Sequence, residues 1–112
     1  MQVSRVAAAV ERRGERFTRR ILAGEEVLGR PENVASSVWI ASCFAAKEAC
    51  LKALGTGWAS GVAFPQIRVG NNGTLSLHGP ALDRAKQLGV GRAHFSMTVE
   101  GDLVAALVML VG

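Results

Sequence analysis

Residues 34–54 form a run that is apolar nearly all round, containing Val38, Phe44, Leu51 and many alanines, and it stops at Gly55-Thr56-Gly57. A segment of that length with no polar face predicts a central helix enclosed by other elements, against a sheet or a second subunit. Near its end Glu48 and Lys52 stand four residues apart. Four residues is just over one turn, so both heads lie on one face and converge where the helix ends. A carboxylate can hold a hard cation such as Mg²⁺, and a neighbouring ammonium can hold a phosphate or move a proton. A solvated surface pair has the same spacing and is worth only a few tenths of a kcal/mol. The pair alone decides nothing.

The rest of the chain punctuates clearly. Ser4 reads as the N-cap of a helical stretch carrying Val6, Val10, Phe17 and Ile21, interrupted by Gly14. Gly24 and Arg30-Pro31-Glu32-Asn33 separate it from the long helix. Beyond a glycine-rich loop from Gly55 to Gly61, residues 62–69 read as a strand, with Pro65 suggesting an edge or a bulge. Asn71-Asn72-Gly73 is a hairpin turn into a return strand at Thr74–Leu77. Pro80 suits the first turn of a short helix over residues 81–88. Strands at 93–99 and 103–111 are joined by Glu100-Gly101-Asp102, and the last is so apolar that burial on both faces is expected.

At 112 residues the chain is one domain, able to bury a core without staples. Hydrophobic residues make up 49% and mean hydropathy is +0.24, a surplus that suggests subunit interfaces. No apolar run reaches the ~20 residues of a membrane span, and charge within the first few residues argues against a secretory signal. Cys43 and Cys50, seven apart on the long helix, lie ~10 Å from each other, too far for a disulfide. Free thiols point to a reducing cytoplasm. The net charge of +4 is concentrated in Arg5, Arg12, Arg13, Arg16, Arg19 and Arg20, against Glu11 and Glu15. Such a patch suits nucleic acid, an anionic membrane or an acidic protein, and a solvated helix face also looks like this. Nucleic acid is the weakest of these, because no stacking platform accompanies the arginines and tyrosine is absent.

The string Phe44-Ala45-Ala46-Lys47-Glu48-Ala49-Cys50-Leu51-Lys52-Ala53-Leu54-Gly55-Thr56-Gly57 resembles the signature helix of the holo-acyl-carrier-protein synthases. These small trimeric 4'-phosphopantetheinyl transferases carry Arg-Phe/Trp-Ala-x-Lys-Glu-Ala-x-x-Lys-Ala-x-Gly-x-Gly, and here Cys43 replaces the leading Arg. Arg16-Phe17, Arg20-Ile21-Leu22, Leu77-His78-Gly79 and His94-Phe95-Ser96 extend the resemblance over residues 3–111. It implies a single α+β domain over residues 1–112, its long central helix packed on a curved antiparallel sheet, assembled as a homotrimer with clefts between subunits. It also implies Mg²⁺-dependent transfer of 4'-phosphopantetheine from coenzyme A to a serine of an apo-acyl-carrier protein. By the same resemblance Glu48 would be the metal ligand, with Glu48 and Lys52 catalytic. Lys47, Lys52, Gly55, Thr56, Gly57, His94 and Ser96 would hold coenzyme A. Arg5, Arg12 and Arg16 would grip the acidic carrier protein, and neither nucleic acid nor membrane is an expected partner.

Three departures accompany the match. The family's Gly-x-Asp strand, with a second metal-binding carboxylate, would precede Val3-Ser4-Arg5, where this sequence reads Met1-Gln2. Cys43 stands for the arginine that helps hold coenzyme A phosphates. In the terminal hairpin Thr98 conservatively replaces a serine and Val99 replaces a histidine. Impaired transfer is therefore expected. The alternatives are a module that only docks a carrier protein or acts as a scaffold, and a cleft made less polar by Cys43 and Val99 and reused for chemistry on a carrier-bound acyl chain.

Overall fold

The computed structural model describes residues 1–55, 61–70 and 72–112. The first helical stretch breaks at Gly14, whose φ of 60° a side chain would resist, giving α1 (Val3–Arg13) and α2 (Glu15–Ile21). A short helix absent from the sequence reading, α3 (Gly24–Leu28), follows. The long helix α4 runs from Ser36 to Leu54 and ends as expected at Gly55, which takes the left-handed φ of 70° and donates to Leu51 O and Lys52 O. After it come β1 (Ile67–Val69), β2 (Thr74–Leu77), α5 (Gly79–Gln87), β3 (Arg92–Glu100) and β4 (Leu103–Val111).

The four strands form one antiparallel meander in chain order. Register pairs Thr74 with His94, His94 with Met109 and Ser96 with Leu107. Side chains alternate across a strand, so Ala93 and Phe95 share the inner face with Val104, Ala106, Val108 and Leu110. There α4 packs, its side chains Ile40, Cys43, Ala46, Lys47, Cys50 and Leu54 all buried, while α1 and α2 also contact it. Enclosure between helices and sheet over most of its circumference explains why this helix is apolar nearly all round, with charge confined to a narrow outward stripe.

Three expectations are corrected. The stretch 62–69 is not one strand: Phe64–Gln66 is a single 3₁₀ turn, and only Ile67–Val69 pairs with β2. Pro65 fixes φ and lacks an N–H, which suits a first turn better than a ladder. Ser4 is not the N-cap of α1. That position is Gln2, and Asp102 in the β3–β4 turn caps the helix from outside, accepting the Ser4 N–H at 2.9 Å as well as the Ser4 hydroxyl. Finally, β4 is covered on its inner face only. Leu103, Leu107 and Met109 are 55%, 66% and 57% exposed on the outer face.

Candidate functional site

The outward stripe of α4 consists of Ala45, Glu48, Ala49, Lys52 and Ala53, half-buried to exposed. Alanines flank the two charged side chains, so nothing bulky on this helix shields them. Glu48 is half-buried and Lys52 exposed, and they are not ion-paired with each other: among the described residues the ion pairs are Arg19–Glu15, Lys47–Glu26 and Arg68–Glu25. Gly55 closes the helix one turn beyond Lys52. Thr56 and Gly57 lie outside the described residues.

Lys47, expected among the groups that hold coenzyme A, points the opposite way from Glu48. One residue turns a helix by ~100°, which carries the Lys47 amine into the core. It is 0% exposed and donates to Glu26 Oε1 and to Ile21 O, each at 2.5 Å. Burial pulls its pKa below the ordinary lysine value, while the hydrogen bond and charge of Glu26 oppose that shift. Its ammonium can act on a ligand only through how it fixes α4.

Glu26 is the residue that sequence reasoning missed. It is 3% exposed and its carboxylate is saturated. Oε1 accepts from Lys47 and from Ala23 N at 2.8 Å, and Oε2 accepts from Val69 N at 2.8 Å. Its backbone carbonyl takes the Trp39 indole N–H at 2.9 Å. One side chain thus joins α3, α4 and β1. The available signal was a glutamate three residues after Ala23, where a carboxylate can reach back to the start of a helix.

Cys43 and Cys50 are free and buried, as the spacing required. Cys43 is 0% exposed, so it cannot line an open cleft, and it makes no surface less polar. Burial, then the Glu26 charge, pushes its thiol from 9.0 up to about 12, with Lys47 opposing; burial alone takes Cys50 to about 11. A thiol whose pKa is raised in the folded state lends stability below pH 9 that is lost as pH climbs toward those values. Iodoacetamide at pH 8 is expected to label neither thiol in the folded protein and both in urea. Labelling of Cys43 at the denatured rate without urea would refute its burial.

His94 and Ser96 lie on the outer face of β3, opposite Met109 and Leu107, with Thr98 on the same face and Val99 on the other. The sheet separates them from the helix that bears Glu48 and Lys52. The structure therefore does not bring these two halves of the expected site together within one chain.

The arginines behave differently. Arg12, Arg13, Arg16 and Arg20 surround Phe17 in a surface hollow of about 700 Å³ on α1 and α2, and Arg5 is exposed one heptad before Arg12. Arg13 and Arg20 belong to the basic cluster read from the sequence but not to its expected carrier contacts, Arg5, Arg12 and Arg16. Among the described residues, Arg19 is the one of the six N-terminal arginines with a carboxylate partner, Glu15 at 3.0 Å. Phe17 meets Phe44 edge-on at 6.2 Å between centroids, and Phe44 meets Phe64 at 5.2 Å. Phe44 is one turn before Glu48, so the basic hollow and the charged stripe adjoin.

No group of three or more His, Cys, Asp or Glu side chains converges among the described residues. Glu48 offers one unpaired hard-oxygen donor, which fits an ion such as Mg²⁺ that keeps its waters and takes further oxygens from a substrate's phosphates. Among the described residues no helix is long and apolar enough to cross a membrane.

A family model described as the 4'-phosphopantetheinyl transferase superfamily matches residues 1–108. The holo-[acyl-carrier-protein] synthase of Halorhodospira halophila is 43% identical over 113 residues, covering 97% of this chain and 90% of that protein. The crystal structure of the holo-[acyl-carrier-protein] synthase from Neisseria meningitidis superposes with a TM-score of 0.85 at 33% identity, covering 100% of this chain and 93% of that one. The Helicobacter pylori synthase, solved in complex with coenzyme A, superposes with a TM-score of 0.83 over 99% of this chain and 95% of its own; at 23% identity it speaks to fold alone. The α+β architecture read from the sequence agrees with both structures.

Proposed function

The chain belongs to the 4'-phosphopantetheinyl transferase superfamily, and on that premise we propose that it transfers 4'-phosphopantetheine from coenzyme A to a serine of an acidic apo-acyl-carrier protein. The observation that carries this reading is the adjacency of the unpaired arginine hollow and the open Glu48–Lys52 stripe, bridged by Phe17 and Phe44. A carrier protein docked by its acidic surface on Arg12, Arg13, Arg16 and Arg20, with Arg5 extending the patch, would have its serine presented toward α4. Complementary charge of this kind sets encounter rate and partner choice.

In the reaction the serine oxygen bonds to the β-phosphorus of coenzyme A, the bond to 3',5'-ADP breaks, and the serine proton is released. Glu48 would hold Mg²⁺, which when bound neutralises charge on the pyrophosphate. Lys52 adds a cation where charge builds on the transferred phosphoryl group. With a buried thiol at 43 and valine at 99, in place of a guanidinium and an imidazole, turnover is expected to be slow. The free thiols suit a reducing compartment such as the cytoplasm.

The separation of His94 and Ser96 from Glu48 in one chain supports assembly as a homotrimer, in which the outer sheet face of one subunit meets α4 of the next. The exposed Leu103, Leu107 and Met109 provide the apolar surface for that contact. Leu107→Glu is expected to convert a trimer to monomers by light scattering, with loss of transfer. A trimer that survives this change would remove the β4 face from the interface.

The function is tested by mass spectrometry of an apo-acyl-carrier protein incubated with coenzyme A, Mg²⁺ and this protein. The expected result is a gain of one 4'-phosphopantetheinyl group on the carrier. Carrier binding without that gain, weakened by Arg16→Glu and by salt, would leave docking as the function.

A further inference from the structure

Arg84 on α5 reaches back to the end of α4. Its Nε donates to Leu54 O at 3.0 Å and its Nη1 to Gln87 Oε1 at 3.3 Å. A β-carbon built on Gly55 would stand 3.7 Å from Nη2, so the guanidinium lies over the bare face of that glycine. It is half-buried and held at two points, with the Nη2 donors uncommitted among the described residues.

The charge at this end of α4 needs such a group. A helix C-terminus carries about half a negative charge, and Glu48 adds a full one within two turns. Lys52 offsets only part of that sum, and a Mg²⁺ held by Glu48 would answer the carboxylate but not the terminal carbonyls, which still face the phosphate. Arg84 satisfies the terminal carbonyl and reverses the local sign. A guanidinium fixed in this way presents its remaining N–H groups in a fork that matches phosphate oxygens.

We propose that Arg84 is a substrate-binding residue of the phosphate site, pairing with Lys52 across Gly55 to hold the pyrophosphate arm of coenzyme A. This rests on the transferase reading and adds to it a cation supplied by a different element.

The test measures coenzyme A binding by calorimetry alongside transfer kinetics, in wild type, Arg84→Gln, Arg84→Lys and Lys86→Gln. Loss of a charge-assisted contact predicts that Arg84→Gln weakens coenzyme A binding and raises its KM by about 10–100-fold, leaving the KM for the carrier protein unchanged. Arg84→Lys, which keeps the charge and loses the planar fork, recovers only part of the affinity, and Lys86→Gln, which removes an equal charge from the exposed side of the same helix, changes it by less than about twofold. A helix-capping role alone would lower the melting temperature of Arg84→Gln and leave coenzyme A affinity untouched, which overturns the proposal while the transferase reading stands. A wild-type protein that neither binds coenzyme A nor modifies a carrier would overturn both.

Discussion

Glu26→Gln is expected to lower the unfolding free energy by about 3–5 kcal/mol, measured by urea denaturation near pH 7. Removing the carboxylate charge leaves the Lys47 ammonium buried with no anionic partner among the described residues, and with Ile21 O as its remaining backbone acceptor. The replacement amide must also face Ala23 N and Val69 N, and only one of its two heads can accept. Breaking one side of a buried pair costs far more than the pair is worth, because the stranded charge keeps its desolvation penalty. Lys47→Met should be destabilising as well. The double variant Glu26→Gln/Lys47→Met is expected to fall short of the summed single losses, since the charge stranded by the first change is removed by the second. A loss below about 1 kcal/mol for Glu26→Gln would mean that solvent reaches the pair, contrary to its burial.

Glu48→Gln is expected to cut the rate of pantetheinyl transfer by about 10²–10³-fold, with unfolding free energy within about 0.5 kcal/mol of wild type. The two numbers separate because Glu48 has no ion-pair partner among the described residues and sits on an open helix face. Glutamine fills the same volume and keeps the helix, so only the hard anionic donor is lost. Raising Mg²⁺ should recover part of the rate if the carboxylate serves to hold the ion. A variant that retains a tenth or more of wild-type activity would take Glu48 out of the chemistry.

Lys47 and Glu48 together show what the sequence could and could not reveal. The Phe44–Gly57 string marks the helix, its glycine stop and the outward pair Glu48 and Lys52, because helical spacing is a local property. The short helix that opens with Gly79-Pro80 and the turn at Glu100-Gly101-Asp102 were legible for the same reason. Lys47, expected to face a ligand from its place beside Glu48 in the string, is instead buried, because a single residue's rotation sends it inward. Its partner Glu26 is 21 residues away, Val69 is a further 43 from Glu26, and Asp102 is 98 from Ser4. Pairings across such distances leave no periodic trace. Nor can an apolar strand say whether its second face is covered by its own chain or by another copy, which is why β4 was expected to be buried throughout.

The bond from Val69 N to Glu26 has a consequence for how copies of this chain can meet. Val69 belongs to β1, the outermost strand on one side of the sheet, and its N–H would otherwise face outward as a template for another strand. A buried carboxylate stops that donor, and β1 has only three residues with which to recruit a neighbour. On the opposite side Met1 and Val3 take the backbone groups of Asp102 and Val104 where β4 begins. Backbone pairing between molecules is thus discouraged along β1 and at the start of β4, while from Ala105 to Val111 the β4 border has no backbone partner among the described residues. A β1 edge stopped in this way cannot serve as a template for another strand, so any contact between copies on that side has to be made by side chains.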